Sequence, residues 1–234
     1  MYIRIFIFIL ISIFSNVYAA DDNDFSAGYA EHEKGNNDLA LAHFLKSAEN
    51  GNILAQNNLG WMYLHGLGTD IDFNKSFYWY QKASVSNEPL ILYMLGQAHL
   101  FGRGTTKDKA KAFQLYHRAQ GKGIPEADLR VGMDYYFGIV SKQDVIKGKK
   151  LILQAAEADQ PYAQCFIGML ALEENDKDLA LSWFRRAEAQ DYKFASKIIG
   201  ALEFEEGNYL SATKKILSGA SAFTSLEITV TEGE

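Results

Sequence analysis

Residues 59–83 read LGWMYLHGLGTDIDFNKSFYWYQKA, and residues 95–119, beginning 36 positions later, read LGQAHLFGRGTTKDKAKAFQLYHRA. Both open on Leu-Gly and carry a Gly-x-Gly pair, Gly66-Leu67-Gly68 and Gly102-Arg103-Gly104. Asp72 and Asp108 come next, then Lys75-Ser76 and Lys111-Ala112. Each stretch closes on an aromatic residue three before an alanine, Tyr80 to Ala83 and Tyr116 to Ala119. A motif that recurs at constant period marks a chain built by copying one supersecondary unit.

Punctuation identifies that unit. The three prolines, Pro89, Pro125 and Pro161, are 36 residues apart. Proline suits the first turn of a helix, where its fixed φ is already helical and its missing N–H has no partner to lose. A second series, Gly28, Gly60, Gly96, Gly132, Gly168 and Gly200, keeps the same phase, seven residues after each proline where one is present. Glycine inside a helix costs about 1 kcal/mol against alanine, so six in register imply close approach of a facing helix.

A third series supplies that helix. Ala40, Ser76, Ala112, Gly148, Ala180 and Ala212 are followed seven residues later by Ser47, Ala83, Ala119, Ala155, Ala187 and Gly219, all small. Seven residues is about two turns, so each pair lies on one face and forms a shallow seat. Between them run larger apolar residues such as Phe44, Tyr80, Tyr116, Ile152 and Phe184, the knobs of a helix facing a core. The reading is six helix–turn–helix copies.

At these residues the sequence resembles the Sel1-like repeat family, a relative of the tetratricopeptide repeat, over residues 20–220. The resemblance implies an all-α fold, a right-handed superhelical α/α solenoid of about six repeats, because helices this short bury their apolar faces only by stacking. The fourth copy departs from the pattern. Gly138-Ile139-Val140 stands where the family has Gly-x-Gly, and valine is a poor occupant of a positive φ, so that loop is expected to take another path. The first, fifth and sixth copies lack four loop residues and are expected to make shorter turns at Asn36-Asn37-Asp38, Asn175-Asp176-Lys177-Asp178 and Gly207-Asn208. In the tail, residues 221–234, Leu226 to Thr231 alternates like an edge strand, with a structureless tail as the other reading.

Residues 1–19 carry Arg4, an apolar run from Ile5 to Phe14, and Val17 and Ala19 at the small positions before a cut, the pattern of a secretory signal peptide. A retained anchor is the competing reading, since the stretch with its flanks approaches the roughly 20 residues a span needs. Ser15 and Asn16 interrupt it, which favours cleavage and a periplasmic or secreted protein without stable membrane insertion. Processing leaves 22 basic against 29 acidic residues, net -7. Nucleic acid needs clustered cations and is not the expected partner. Cys165 is the single cysteine, so no intramolecular disulfide forms.

Chemistry has little to stand on. The Gly-x-Gly pairs follow helices and lack the Lys-Ser/Thr that a phosphate loop needs. His32, His43, His65, His99 and His117 are dispersed without zinc-ligand spacing, and no serine sits in a nucleophile elbow. No catalytic residue, cofactor or metal is assigned. Cysteine-rich relatives are associated with β-lactam binding or hydrolysis, but those carry a cysteine pair in each repeat. The sequon Asn74-Lys75-Ser76 falls inside an expected helix.

The resemblance implies that first helices line a concave face. Mapping its open positions through the glycine series nominates Tyr29, Asn57, Trp61, His65, Tyr93, Gln97, Phe101, Met133 and Phe137 as partner-binding. His32, Leu64, Leu100 and Tyr136 fall in the same pattern, the last three being candidates for packing between copies. Arg130 and Lys197 are the isolated cations nearest that face. Such a surface holds a peptide or partner helix through apolar anchors. The expected function is an exported protein–protein adaptor in envelope assembly or host interaction, with a hydrolase acting on cell-wall or β-lactam substrates as the alternative.

Overall fold

The computed structural model describes residues 22–204, and within them eleven α-helices and no strand. The expected signal peptide, the expected second helix of a sixth copy with its turn at Gly207-Asn208, and the tail lie outside the described residues. The chain divides into two compact units between Ile124 and Pro125. The first holds α1 (Asn23–Glu33), α2 (Asn37–Glu49), α3 (Ile53–His65), α4 (Phe73–Ala83), α5 (Pro89–Phe101) and α6 (Lys109–Ala119). The second holds α7 (Pro125–Phe137), α8 (Val145–Glu157), α9 (Pro161–Glu173), α10 (Lys177–Glu188) and α11 (Lys193–Phe204). Helices pair as hairpins, and within each unit the second helix of one copy packs on the first helix of the next.

Most helices start where the sequence satisfies the free N–H groups of a first turn or removes one with proline. Asp72, Asp108, Asp144 and Asp176 precede α4, α6, α8 and α10, and each carboxylate accepts the N–H three residues on at 2.9–3.0 Å. The Lys75 N–H holds the Asp72 carboxyl below its usual range. Asn52 and Gln160 do the same work at the starts of α3 and α9, and the three prolines occupy first helical positions.

The glycine series and the knob series prove to be two halves of one contact. A Cβ built on Gly28 would lie 2.8 Å from the Phe44 ring, on Gly60 2.9 Å from Tyr80, and on Gly96 2.4 Å from Tyr116. In the second unit Gly132 faces Ile152 at 2.7 Å and Gly168 faces Phe184 at 2.7 Å. Every knob is at least 98% buried. The small seats are buried as well, and Ser76 donates its hydroxyl to the Gly60 carbonyl at 2.8 Å. That bond places the sequon's serine inside a helix interface.

Two loops follow the family pattern and one does not. Gly66 and Gly102 end α3 and α5 at φ 67° and 72°. A Cβ on Gly68 would sit 2.3 Å from the Asn37 carbonyl oxygen, and one on Gly104 2.0 Å from that of Phe73. The second glycine thus lets each loop rest against the preceding copy's second helix. Val140 does not take a positive φ. Instead Asp134, fully buried, accepts the N–H groups of Val140 and Ser141 at 2.7 and 3.1 Å and the Ser141 hydroxyl at 2.5 Å. In the fifth copy Asn175 makes the short turn at φ 62°.

In the fourth copy both facing positions are glycine. A Cβ on Gly148 would lie 2.6 Å from the backbone nitrogen of Tyr136 and 2.8 Å from the Gly132 carbonyl oxygen. Main chain yields less readily than a side chain. Gly148→Ala is therefore expected to destabilise by about 1–3 kcal/mol, against the gain of about 1 kcal/mol that alanine brings to a helix. Ala112→Leu and Ala180→Leu, at seats with no exposed surface, are expected to lose a similar amount. Urea midpoints test all three, and wild-type stability at any seat removes it from the packing scheme.

Candidate protein-binding site

First helices present the nominated residues, and the two units treat them differently. In the first unit the Tyr29 hydroxyl hydrogen-bonds Glu33 one turn on; burial, then the Glu33 charge, raises its phenol above the usual range. Trp61 is half-buried and packs at a tilt against His65, ring centroids 3.8 Å apart and planes at 45°. Gln97 donates its amide to the Tyr93 hydroxyl, and Tyr93 lies 5.6 Å from the Tyr116 ring. Phe101 is half-buried beneath the Arg103 guanidinium, 5.3 Å from its centroid. Each aromatic is thus held in place while part of its surface stays open to solvent.

Two nominated residues are not available. Asn57 is only 7% exposed, within the run Ala55–Gly60 that is buried throughout where α3 lies between α2 and α4. Met133 is 1% exposed and belongs to the second unit's core with Leu129, Phe166 and Met169. Phe137 packs against that core, edge-on to Tyr136 at 4.8 Å and to Phe166 at 6.0 Å, and Tyr136 meets Phe166 at 5.3 Å. Three rings and two flexible methionines fill this face from within. Spacing alone does not distinguish a methionine that fills a gap from one that offers itself to a partner.

The remaining members of the pattern divide in the same way. His32 Nδ1 pairs with Asn37 Oδ1 at 2.8 Å and ties α1 to α2. Leu100 is 2% exposed, Leu64 is half-buried, and Arg130 is buried whereas Lys197 is exposed. The nominated residues that keep open surface are Tyr29, Trp61, His65, Tyr93, Gln97 and Phe101 in the first unit and the half-buried Phe137 in the second.

Sequence reasoning passed over two polar fixtures. Gln56 and Gln164 sit four residues before Gly60 and Gly168, and each donates its amide to the end of the preceding second helix, to the Ala48 and Ala156 carbonyls at 3.1 Å. A glutamine at a fixed offset from the glycine series was the available signal. As for reactive groups, Cys165 is 1% exposed and burial pushes its thiol up to about 12, so it holds no thiolate near neutrality. Among the described residues no three His, Cys, Asp or Glu side chains gather as a metal site.

Helical hairpins stacked through small seats, with first helices offering aromatic side chains, define an α/α repeat protein of the interaction type. The Sel1 repeat pattern matches residues 28–52, 53–84, 91–119, 125–160 and 161–192, and the chain belongs to the Sel1 repeat family. Proteins of this family act as protein–protein interaction scaffolds and are typically non-enzymatic. The fold is shared with the protective antigen c5321 of uropathogenic Escherichia coli, described as displaying an SLR fold. That protein is 26% identical over 79% of this chain and 42% of its own, with a TM-score of 0.66. A Sel1 repeat protein from Oxalobacter formigenes is 25% identical over 73% of this chain and 71% of its own, with a TM-score of 0.65. The chain thus spans less than half the length of the antigen. A search of curated proteins returns no match.

The split between units has a measurable consequence at one repeat position, since Trp61 and Met133 each follow their copy's glycine. Met133→Ala empties a packed site and is expected to cost about 2–5 kcal/mol. Trp61→Ala loses a tilted ring contact that is partly open to water, about 1 kcal/mol. Thermal denaturation of the two variants compares them directly, and equal losses would mean that Trp61 is core.

Proposed function

We propose that this protein is an exported interaction scaffold that holds a peptide or partner helix against the first helices of its first unit, in envelope assembly or host interaction. The observation that carries the reading is Trp61. At the same repeat position Met133 and Met169 are buried in the core, 1% and 3% exposed, whereas the tryptophan is partly open and packed against His65. A large ring that the core does not require is free to anchor a partner. Tyr93, steadied by Gln97, offers a second ring one copy along. Such rings bind well because little side-chain freedom is lost when they are already held. The likeness to a protective antigen supports exposure to the cell exterior or envelope, as does the amino-terminal signal-peptide pattern.

Capture from periplasmic extract or host-cell lysate, with wild type and Trp61→Ala compared on the same resin, tests the site. Truncation of an anchoring aromatic costs about 2 kcal/mol or more in binding, so the variant is expected to lose the retained partner while staying folded. Retention of the partner by the variant would refute the anchor role. Mass spectrometry of the exported protein tests processing, the expected amino terminus being Ala20-Asp21-Asp22. An intact amino terminus recovered with the membrane fraction would establish an anchor instead.

A further inference from the structure

Arg130, on α7 of the second unit, is a cation that the fold buries without a partner. It is 6% exposed, and among the described residues no carboxylate lies within ion-pair distance of its guanidinium, nor does that group make a hydrogen bond. The contrast within the same unit is Arg186, which is exposed and bonded to Asp159 at 2.9 Å. A guanidinium carries five N–H donors and a charge that no loss of a proton removes. Water can occupy the donors of a buried ion, but it leaves the charge without a counterion, and a buried charge is costly unless it is paired.

Glu126, one turn earlier on α7, does not supply the counterion. Burial raises its carboxyl above the usual range and outweighs the pull of the Arg130 charge, the reverse of what a closed ion pair does to its acid. Asp128, two residues before Arg130, falls on another side of the helix. On the next first helix Tyr162 feels the Arg130 charge, and it in turn neighbours Tyr192 and Cys165. Burial raises both phenols, that of Tyr192 up to about 12, so both keep their protons near neutrality. Glu126, Tyr162 and Tyr192 are half-buried, and the cluster therefore reaches the surface beside Arg130.

We propose that Arg130 anchors a carboxylate-binding site on the second unit, which takes the chain terminus or an acidic side chain of a bound peptide beside the Tyr162 and Tyr192 rings. The planar guanidinium matches a carboxylate through two parallel N–H bonds. A single cation with Glu126 one turn away balances one negative charge, whereas a phosphate carries nearly two. The rings give an apolar residue next to the carboxylate a surface to rest on. Closing this pair supplies the counterion that the fold omits. The site does not depend on Trp61 or the other rings of the first unit.

Saturation-transfer NMR on the whole protein is the test, with three probe peptides: acetyl-Ala-Ala-Phe with a free carboxyl terminus, the same peptide as its amide, and acetyl-Ala-Glu-Phe-amide. A response is expected from at least one of the two carboxylate peptides and none from the uncharged amide. Which of the two responds distinguishes a chain terminus from an acidic side chain. Arg130→Met should weaken binding about ten-fold or more through loss of a charge-assisted pair. It should also hold or raise the thermal midpoint, because a buried unpaired charge gives way to an apolar side chain. Arg130→Lys, which keeps the charge without the fork, should bind between the two. Lys197→Met, at an exposed cation of α11, should bind as wild type does. Silence from both carboxylate peptides, an equal response to the amide, or binding indifferent to Arg130 overturns the proposal. So does a lowered midpoint in Arg130→Met, which would mean that the guanidinium is satisfied within the fold.

Discussion

The contact between a glycine on the first helix of each of five copies and the bulky knob on its partner sets everything else among the described residues. Two helices pack closely only if one surrenders its side chain at the crossing, and the ring or branched chain opposite fills the space released. Phe44, Tyr80, Tyr116, Ile152 and Phe184 are each buried against a glycine one helix earlier. Dispersion gains scale with such fit, and a gap of even half an ångström forfeits much of them. The smaller Ile152 occurs where glycine also occupies the seat, at Gly148, and there main chain meets main chain. Volume removed from one partner is matched by volume removed from the other.

With the crossing fixed, the loops have one task, to deliver the second helix in phase. Gly-x-Gly accomplishes it with two positive φ values and a loop that rests on the preceding copy. The fourth copy reaches the same end through the Asp134 carboxylate, which gathers the loop's N–H groups. Burying a carboxylate is costly unless it is fully hydrogen-bonded, and here the loop backbone supplies the bonds. A four-residue deletion in the fifth copy is absorbed by a single left-handed Asn175. The hairpin tolerates these variations because none moves the glycine or its knob.

This hierarchy explains what was legible in the sequence. Glycine, proline and small-residue series recur because geometry demands them, so helix starts, seats and facing knobs followed from spacing, as did the separate path of the Gly138 loop. The candidate binding face was less legible because no periodic constraint fixes it. Asn57 and Met133 occupy positions that are open in the general pattern, yet one lies in a buried stretch of α3 and the other in the second unit's core. Whether such a position is open depends on the size of neighbours in the next copy, such as Phe166 beside Phe137. Asp134 and the Gln56 and Gln164 fixtures went unread for a related reason: a polar residue on a helix looks solvated until its acceptor or donor is located.

A repeat array frees residues for function when a position is not needed for packing, and the position after the glycine shows how. The second unit uses it for stability, with Met133 and Met169 buried in its core. In the first unit Tyr29, Trp61 and Gln97 occupy it, each engaged with a residue on its own helix: Glu33, His65 and Tyr93. Local contacts of that kind fix a side chain's direction without closing it off. A ring already oriented by its own helix gives up little freedom when a partner arrives, and that economy distinguishes a recognition surface from a core that has merely been left incomplete.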